Sequence, residues 1–490
     1  MLHMIFNFIV RPTTGLLSIV LFTALLIVSS CEKKDPTPEP QGDVTNAEIN
    51  RWILDTMDYY YYWNDKIPNE GSLNLNSNPE DFFESLLNLP TDRFSWIQNA
   101  TELKEQSSGI IKTTGLGISF ISNEQGQVVL GVRYVHKGSP ADLQGVKRGD
   151  MFIGINGEDW KVSGSSITNA APLFGNDTFT LQECVFENDA LTRGKTISLT
   201  PVEAFQENAI LLDSIITTSS GTKVAYLFYN RFLGNQLQEL VDAFVKFKEA
   251  NVTELIVDER YNGGGHVVAA SLLSALIHKN FNIASPFIHY DMNNHFKDVT
   301  ETYGEQFGYD NEELVTQVNL GLSRVFVLAT ENSASASELL INNLKPFLGG
   351  SNVIHIGSIT VGKDEFSSAF ESSSPRLKAN DDTDWGIQPI IGKYKNADLE
   401  GDFEAGLRPQ YAVRESNYPY APMGSSEDRL IARALSIIDP SMTAQLSKQM
   451  SLQPRHTGAR ELKEVNDKLL KPYRPLEVTP LPKRKPIKLH

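Results

Sequence analysis

At 490 residues the chain is too long for one ordinary hydrophobic core, so two or three domains are expected. A hydrophobic content of 41% and a charged content of 21% belong to a globular protein and exclude a disordered one. The net charge of −16, with nothing basic dominating the body of the chain, argues against nucleic acid as a partner.

Near the start, Arg11 precedes an apolar run from Leu16 to Val28. The run is shorter than the roughly 18 residues of a membrane-spanning helix, and it reads as the core of a signal peptide covering residues 1–30. The small residues Val28-Ser29-Ser30 lead directly to Cys31, and Val-Ser-Ser-Cys resembles a bacterial lipobox. That resemblance implies cleavage before Cys31, lipidation of its thiol and a place in the bacterial envelope, held to a membrane by the lipid. The alternatives are an uncleaved N-terminal anchor and plain secretion. Cys184 is the one other cysteine, so a mature chain cannot form an intramolecular disulfide. Residues 31–45, with the polar, Pro-rich Glu32 to Gln41, read as a tether between the lipid and the folded part.

Residues 46–108 are predicted to be a small helical domain. Ile49, Ile53, Met57 and Tyr60 share one helical face, with Asn46 placed to cap the start. The aromatic cluster Tyr59 to Trp63 is expected to be core rather than a ligand platform. Pro79-Glu80-Asp81 opens a second helix. This domain is expected to dock on the rest without chemistry of its own.

Residues 109–203 change to short β-rich runs separated by turn signals: Gly115-Leu116-Gly117-Ile118-Ser119-Phe120, Val128 to Val135, Gly149 to Gly157, and Thr196 to Leu199. In order, with Gly138-Ser139-Pro140-Ala141 and Lys147-Arg148-Gly149-Asp150 between them, these runs resemble a PDZ domain. The resemblance makes Gly115, Leu116, Gly117 and Ile118 a peptide-binding loop. Successive N–H groups in such a loop can hold an anion, and an exposed strand edge can take up a further strand.

From 204 to 440 the pattern is α/β. Val224 to Phe228 is a strand, and Leu237, Leu240, Val241, Phe244 and Phe247 lie on one helical face. Leu255 to Asp258 is a second buried strand, ending in Glu259-Arg260-Tyr261-Asn262-Gly263-Gly264-Gly265 before a helix over 267–276. The glycine spacing is not that of a nucleotide-binding turn. Adjacent glycines do let a backbone N–H face a bound carbonyl oxygen, and Asp258 with Arg260 is expected to brace the turn. Residues 281–323 read as a lid or strap. Val325 to Leu328 is a third buried strand, broken at Glu331-Asn332, and Ser333-Ala334-Ser335-Ala336-Ser337-Glu338 opens a helix carrying Leu339, Leu340 and Leu344. Small residues around a hydroxyl at a helix N-terminus suit a nucleophile with an oxyanion site beside it. Ser335 and Glu338 equally fit a capping box with no chemistry. The strand Val353 to Gly357, the turn Thr360 to Phe366 and a helix over 429–438 follow. Residues 441–490, polar, Pro-rich and basic near Lys483-Arg484-Lys485, read as a mostly disordered tail, with an ordered strap as the alternative.

Taken in order, the PDZ-like region, Asp-Glu-Arg-Tyr-Asn-Gly-Gly-Gly, Ser-Ala-Ser-Ala-Ser-Glu and Gly362-Lys363 resemble the C-terminal processing peptidases, or tail-specific proteases. The resemblance covers roughly residues 46–440. It implies a multidomain α/β protein whose protease core is of the tail-specific, crotonase-like type. It implies Ser335 as nucleophile, Lys363 as general base, and an oxyanion hole of the Ala336 and Gly264 N–H groups. A lysine has an ordinary pKa near ~10.4, and burial would favour the neutral form a base requires. The expected activity is serine endopeptidase action on polypeptides near their C-termini, with no cofactor and no metal. Two features depart from the family pattern. Ser367 stands where the family has a glutamine four residues after the lysine, and Asp364 and Glu365 would hold the lysine protonated unless the turn faces them to solvent. The alternatives are a PDZ-bearing peptide-binding lipoprotein without catalysis and a serine hydrolase of non-peptide esters. A Ser–His pair through His266 lacks an acidic residue to orient the imidazole.

Overall fold

The computed structural model describes residues 42–122, 126–164, 166–187, 190–380, 382–415, 418–452, 460–462 and 465–466. Cys31, the residues expected to be cleaved before it and the tether as far as Gln41 lie outside them, as does the basic stretch Lys483-Arg484-Lys485. Among the described residues no helix is long and apolar enough to cross a membrane.

Six strands form the central sheet, in the order Ile210–Thr217, Lys223–Tyr229, Glu254–Asp258, Val325–Ala329, Val353–Gly357 and Tyr411–Ala412. The first pair is an antiparallel hairpin and all later neighbours are parallel. Parallel neighbours need crossovers, which the helices Leu237–Glu249, Val267–Ile277 and Ala336–Leu348 supply. Both faces are covered, which is why Val325–Ala329 is apolar throughout and buried at every residue. On one face Leu227, Val257 and Val327 pack with Leu240, Phe244, Leu273 and Leu340 of the crossover helices. On the other, Tyr226, Ile256, Phe326 and Leu328 lie under Leu430, Ile431 and Leu435 of the helix Arg429–Ile438.

The expected lid at 281–323 is instead built into the core. Pro286–Met292 and Val299–Thr302 pair in a four-stranded sheet with Ile390–Lys395 and Glu365–Ser367. Ile288 and Tyr290 of this segment are buried, so it cannot swing away cheaply.

The helical region begins with Asn46–Tyr60, but Thr45 is its N-cap, not Asn46. Thr45 and Glu48 make a reciprocal capping box that starts the helix one residue past the hydroxyl. Tyr61 is fully buried, Tyr60 packs against Phe296 and Phe370, and Tyr59 stacks on His295. The aromatic cluster thus seals this region to the core. Ahead of the central sheet lies an antiparallel sheet of Leu116–Ser122, Val128–Val135, Met151–Ile155, Phe179–Glu187 and Ala190–Leu199.

The reading of 441–490 as a mostly disordered tail is corrected over its first part. Thr443–Leu452 is a helix, and Arg460–Glu461 adds a strand beside Leu116–Ser122. Leu446 and Val465 are buried, so apolar side chains fix this part despite its polar composition.

Candidate active site

The parallel strands Glu254–Asp258 and Val325–Ala329 end side by side, and the turns leaving their C-terminal ends meet. This is where an open α/β sheet presents ligand-binding groups. Ser335 immediately precedes the helix Ala336–Leu348 and is fully buried, with φ 58° and ψ −115°. An ordinary N-cap is extended. Positive φ at a residue bearing a Cβ costs on the order of 1–3 kcal/mol and persists only where the surroundings enforce it.

Glu338 enforces it. Its buried carboxylate accepts the Ser335 N–H at 2.9 Å, the Gly362 N–H at 2.6 Å, the Lys363 N–H at 2.8 Å and the Thr360 hydroxyl. Burial raises the pKa of this carboxyl, while the four donors pull it down. One side chain therefore joins the serine turn to the lysine turn, reaching 25 residues along the chain from Glu338 to Lys363. The Tyr394 hydroxyl makes a second joint, 3.0 Å from the Ser335 carbonyl oxygen and 2.6 Å from that of Lys363, with its one proton between them. The sequence pointed to Glu338 only as the capping partner of Ser335 and not as a link to the lysine turn, and it gave no sign of Tyr394.

Lys363 is fully buried, with Nζ 5.6 Å from the centre of the Phe94 ring. Gly362 before it has φ 81°, and a Cβ there would stand 2.2 Å from the Glu404 carbonyl oxygen, so only glycine fits. The Gly362 carbonyl accepts a hydrogen bond from Arg93, which also donates to the Glu404 carbonyl at 3.3 Å. Arg93 and Phe94 belong to the helical region expected to be inert. It supplies both the aromatic surface against the lysine and a clamp on the lysine turn. Asp92 organises that segment by accepting the Phe94 and Ser95 N–H groups at 2.9 Å each.

Of the two placements open for Asp364 and Glu365, the structure has the inward one: they are 0% and 3% exposed. Residues 365–367 form a strand paired with Ile390–Lys395, which turns the acids inward. Burial, and then the charge of Asp364, pushes Glu365 up to about 7, against the pull of Lys393, Lys363 and Arg93. Burial likewise raises Asp364, which lies 3.4 Å from Lys393 Nζ. Buried Ser367 accepts a hydrogen bond at 2.9 Å from Gln388, so a carboxamide reaches this position from another strand.

In the glycine turn, Gly264 packs directly on the serine. A Cβ on it would lie 2.8 Å from Ser335 Cβ and 3.1 Å from Ala336 N. Its N–H, expected as an oxyanion donor, is here donated to Asn262 Oδ1 at 2.8 Å. Gly264 serves the site through its missing side chain. Ala336, first residue of its helix, has no intrahelical acceptor for its N–H. Asn262 holds the turn through its amide to Tyr229 O and its carbonyl to Ala334 N and Ser337 Oγ. Buried Arg260 bonds Asp258, Asp428 and Glu415 and braces the turn from behind. His266 points elsewhere: its Nε2 lies 3.0 Å from the Ser107 carbonyl oxygen.

The arrangement is a buried hydroxyl on a strained helix N-terminus, a buried amine on a turn locked to it, and a backbone N–H beside the hydroxyl. The family model for peptidase family S41 matches residues 223–413, and the model for the peptidase S41 N-terminal domain matches residues 48–96. The carboxyl-terminal-processing protease of a Picosynechococcus species is 24% identical over 368 residues, covering 74% of this chain and 79% of that protein. The carboxy-terminal processing protease CtpA of Bacillus subtilis is 25% identical over 287 residues, 58% of this chain and about half (53%) of that protein. A crystal structure of a putative S41 protease from Bacteroides fragilis is similar with a TM-score of 0.64 and 25% identity, over 83% of this chain and all of that one.

Proposed function

The chain belongs to peptidase family S41, and from that premise we propose a serine endopeptidase that cuts polypeptides near their C-termini by a Ser335–Lys363 dyad. Lys363 in its neutral form takes the proton from Ser335 Oγ as the oxygen attacks the scissile carbonyl carbon. The Ala336 N–H stabilises the oxyanion that develops, at a helix N-terminus whose dipole favours negative charge. The tetrahedral species collapses to an acyl-serine as Lys363 hands its proton to the departing amine. Water then attacks the acyl carbon, Lys363 again accepting and returning a proton.

The observation that carries this reading is the shared anchor. Glu338 binds the N–H groups of both Ser335 and Lys363, and Tyr394 bridges their carbonyls. Holding two reacting groups in one geometry is worth several kcal/mol of barrier. The buried acids beside the lysine favour the other reading, a peptide-binding protein without catalysis. Glu365, however, is half neutral near pH 7, which lessens the charge that would hold the lysine protonated.

The region 109–203 is a PDZ-like peptide-binding module on this reading, and Cys31 carries a lipid that tethers the enzyme in the bacterial envelope. A fluorophosphonate probe tests the dyad: it labels Ser335 in the wild type, and labelling is lost in Ser335→Ala and in Lys363→Ala. Undiminished labelling of Lys363→Ala refutes the dyad.

A further inference from the structure

The antiparallel sheet ahead of the core owes its outermost strand to the far end of the described chain. Leu116–Ser122 would otherwise be its edge, with a row of backbone donors and acceptors open to another strand. Arg460 pairs antiparallel with Ser122 and Glu461 with Ile121. Leu462 continues the ladder, its N–H donating to the Phe120 carbonyl at 2.9 Å. Asn466 then takes the place of a strand residue: its Oδ1 accepts the Phe120 N–H at 2.8 Å and its Nδ2 lies 3.3 Å from the Phe120 carbonyl oxygen.

Side chains deepen the contact. Val465 is 3% exposed and, with Leu462, packs in the cluster of Leu116, Ile118 and Phe120. Glu461 is ion-paired to Arg133 on the neighbouring strand and bonds Asn466 at 2.9 Å. The strand so covered is the one that begins at the Gly115-Leu116-Gly117-Ile118 loop. The Gly115 N–H is donated to Thr113 Oγ1 at 2.8 Å, which removes one donor a terminal carboxylate would use.

We propose that the Leu116–Ser122 edge is a docking site for an internal stretch of extended polypeptide, and that the chain's own Arg460, Glu461, Leu462, Val465 and Asn466 occupy it as a built-in ligand. The proposal rests on the peptide-binding reading of this region. The occupant defines the ligand class: an acidic residue for Arg133, an apolar residue next to it, a second apolar residue three positions on, and an amide after that. A substrate segment of this pattern enters by displacing the occupant. A tethered ligand acts at an effective concentration of order millimolar, so it weakens an external competitor about tenfold or more.

The test uses the full chain carrying Ser335→Ala, so that nothing is cleaved. A fluorescent peptide of residues 459–467 and labelled reduced casein are titrated and read by anisotropy. Two releasing variants are compared with this parent: Leu462→Asp with Val465→Asp, and the milder Glu461→Ala with Asn466→Ala, which keeps both apolar anchors and so keeps the fold. The 459–467 peptide is expected to bind each releasing variant at least tenfold tighter than the parent, and a Leu462→Asp peptide is expected not to bind. Equal affinity for parent and milder variant overturns the proposal. Variants that bind casein but not the 459–467 peptide overturn self-occupation and leave the peptide-binding reading standing. Binding of neither probe removes both, while probe labelling of Ser335 in the wild type still reports the peptidase.

Discussion

Glu365→Gln separates the buried-acid geometry from a solvent-facing turn. The carboxyl is 3% exposed and its pKa is raised from 4.5 to about 7, with burial the largest cause. A raised acid pKa means that the folded state binds the proton more tightly than the unfolded chain. Stability contributed by the protonated form is present below pH 4.5 and lost as pH rises toward 7. The rise from 4.5 to about 7, at about 1.36 kcal/mol per pH unit, makes the loss a few kcal/mol. Asp364, raised by the same burial, adds a loss of the same sign. Glutamine is close to the same size and does not titrate, so Glu365→Gln should keep much of what the wild type loses. The assay is urea denaturation of both proteins at pH 5 and pH 8.5, comparing the difference between them at each pH. The other titrating groups are common to the two proteins and largely cancel, except Asp364, whose own titration shifts when the neighbouring charge is removed. The variant should gain on the wild type by about 2–3 kcal/mol between the two conditions. A difference that does not change with pH refutes the buried position of this carboxyl.

Glu338→Gln keeps the size of the side chain but turns an amide toward backbone N–H donors, so kcat should fall by about a hundredfold with little change in KM; single-turnover and steady-state kinetics on one peptide substrate check this. Tyr394→Phe removes the one hydroxyl proton shared between the Ser335 and Lys363 carbonyls and so loosens the joint between the two turns, costing about 1–3 kcal/mol of stability by urea denaturation and lowering kcat. Cys31→Ser should move the protein from the membrane fraction to the soluble fraction, and a variant that stays membrane-bound with its N-terminus uncleaved refutes lipidation at this residue.

The parts of the site that announced themselves in the sequence are those whose chemistry needs a side-chain type in a local pattern. Ser335 stood out in that way, among small residues at a helix start, and so did the apolar runs that became central strands; Lys363 was pointed to only by the family resemblance of Gly-Lys. The missed parts act on backbone groups from a distance. Tyr394 serves the site by touching two carbonyls, and any residue type has a carbonyl. Arg93 and Phe94 reach the lysine turn from a region 269 residues earlier, and only tertiary contact reveals the pairing. Gln388 likewise approaches Ser367 from 21 residues downstream. The inward turn of Asp364 and Glu365 depends on strand pairing with Ile390–Lys395, and local acidity argued the opposite. The strand at Arg460–Glu461 was hidden because two ladder residues leave almost no periodicity in a polar stretch.

The two readings of Ser335 and Glu338 that competed in the sequence turn out to describe one device. A capping box needs a carboxylate three residues past the helix start to receive the N-cap N–H, and Glu338 does this. A carboxylate has about four acceptor sites, however, and the N-cap uses one. The remaining sites hold Thr360, Gly362 and Lys363. The group that starts the helix therefore also fixes the turn that carries the amine, and it does so by charge-assisted bonds to backbone N–H groups. Ser335 sits where these constraints meet, which accounts for the positive φ it adopts without being a glycine. Backbone strain there is the consequence of placing one residue at once at a helix start, against Gly264 and in register with Lys363.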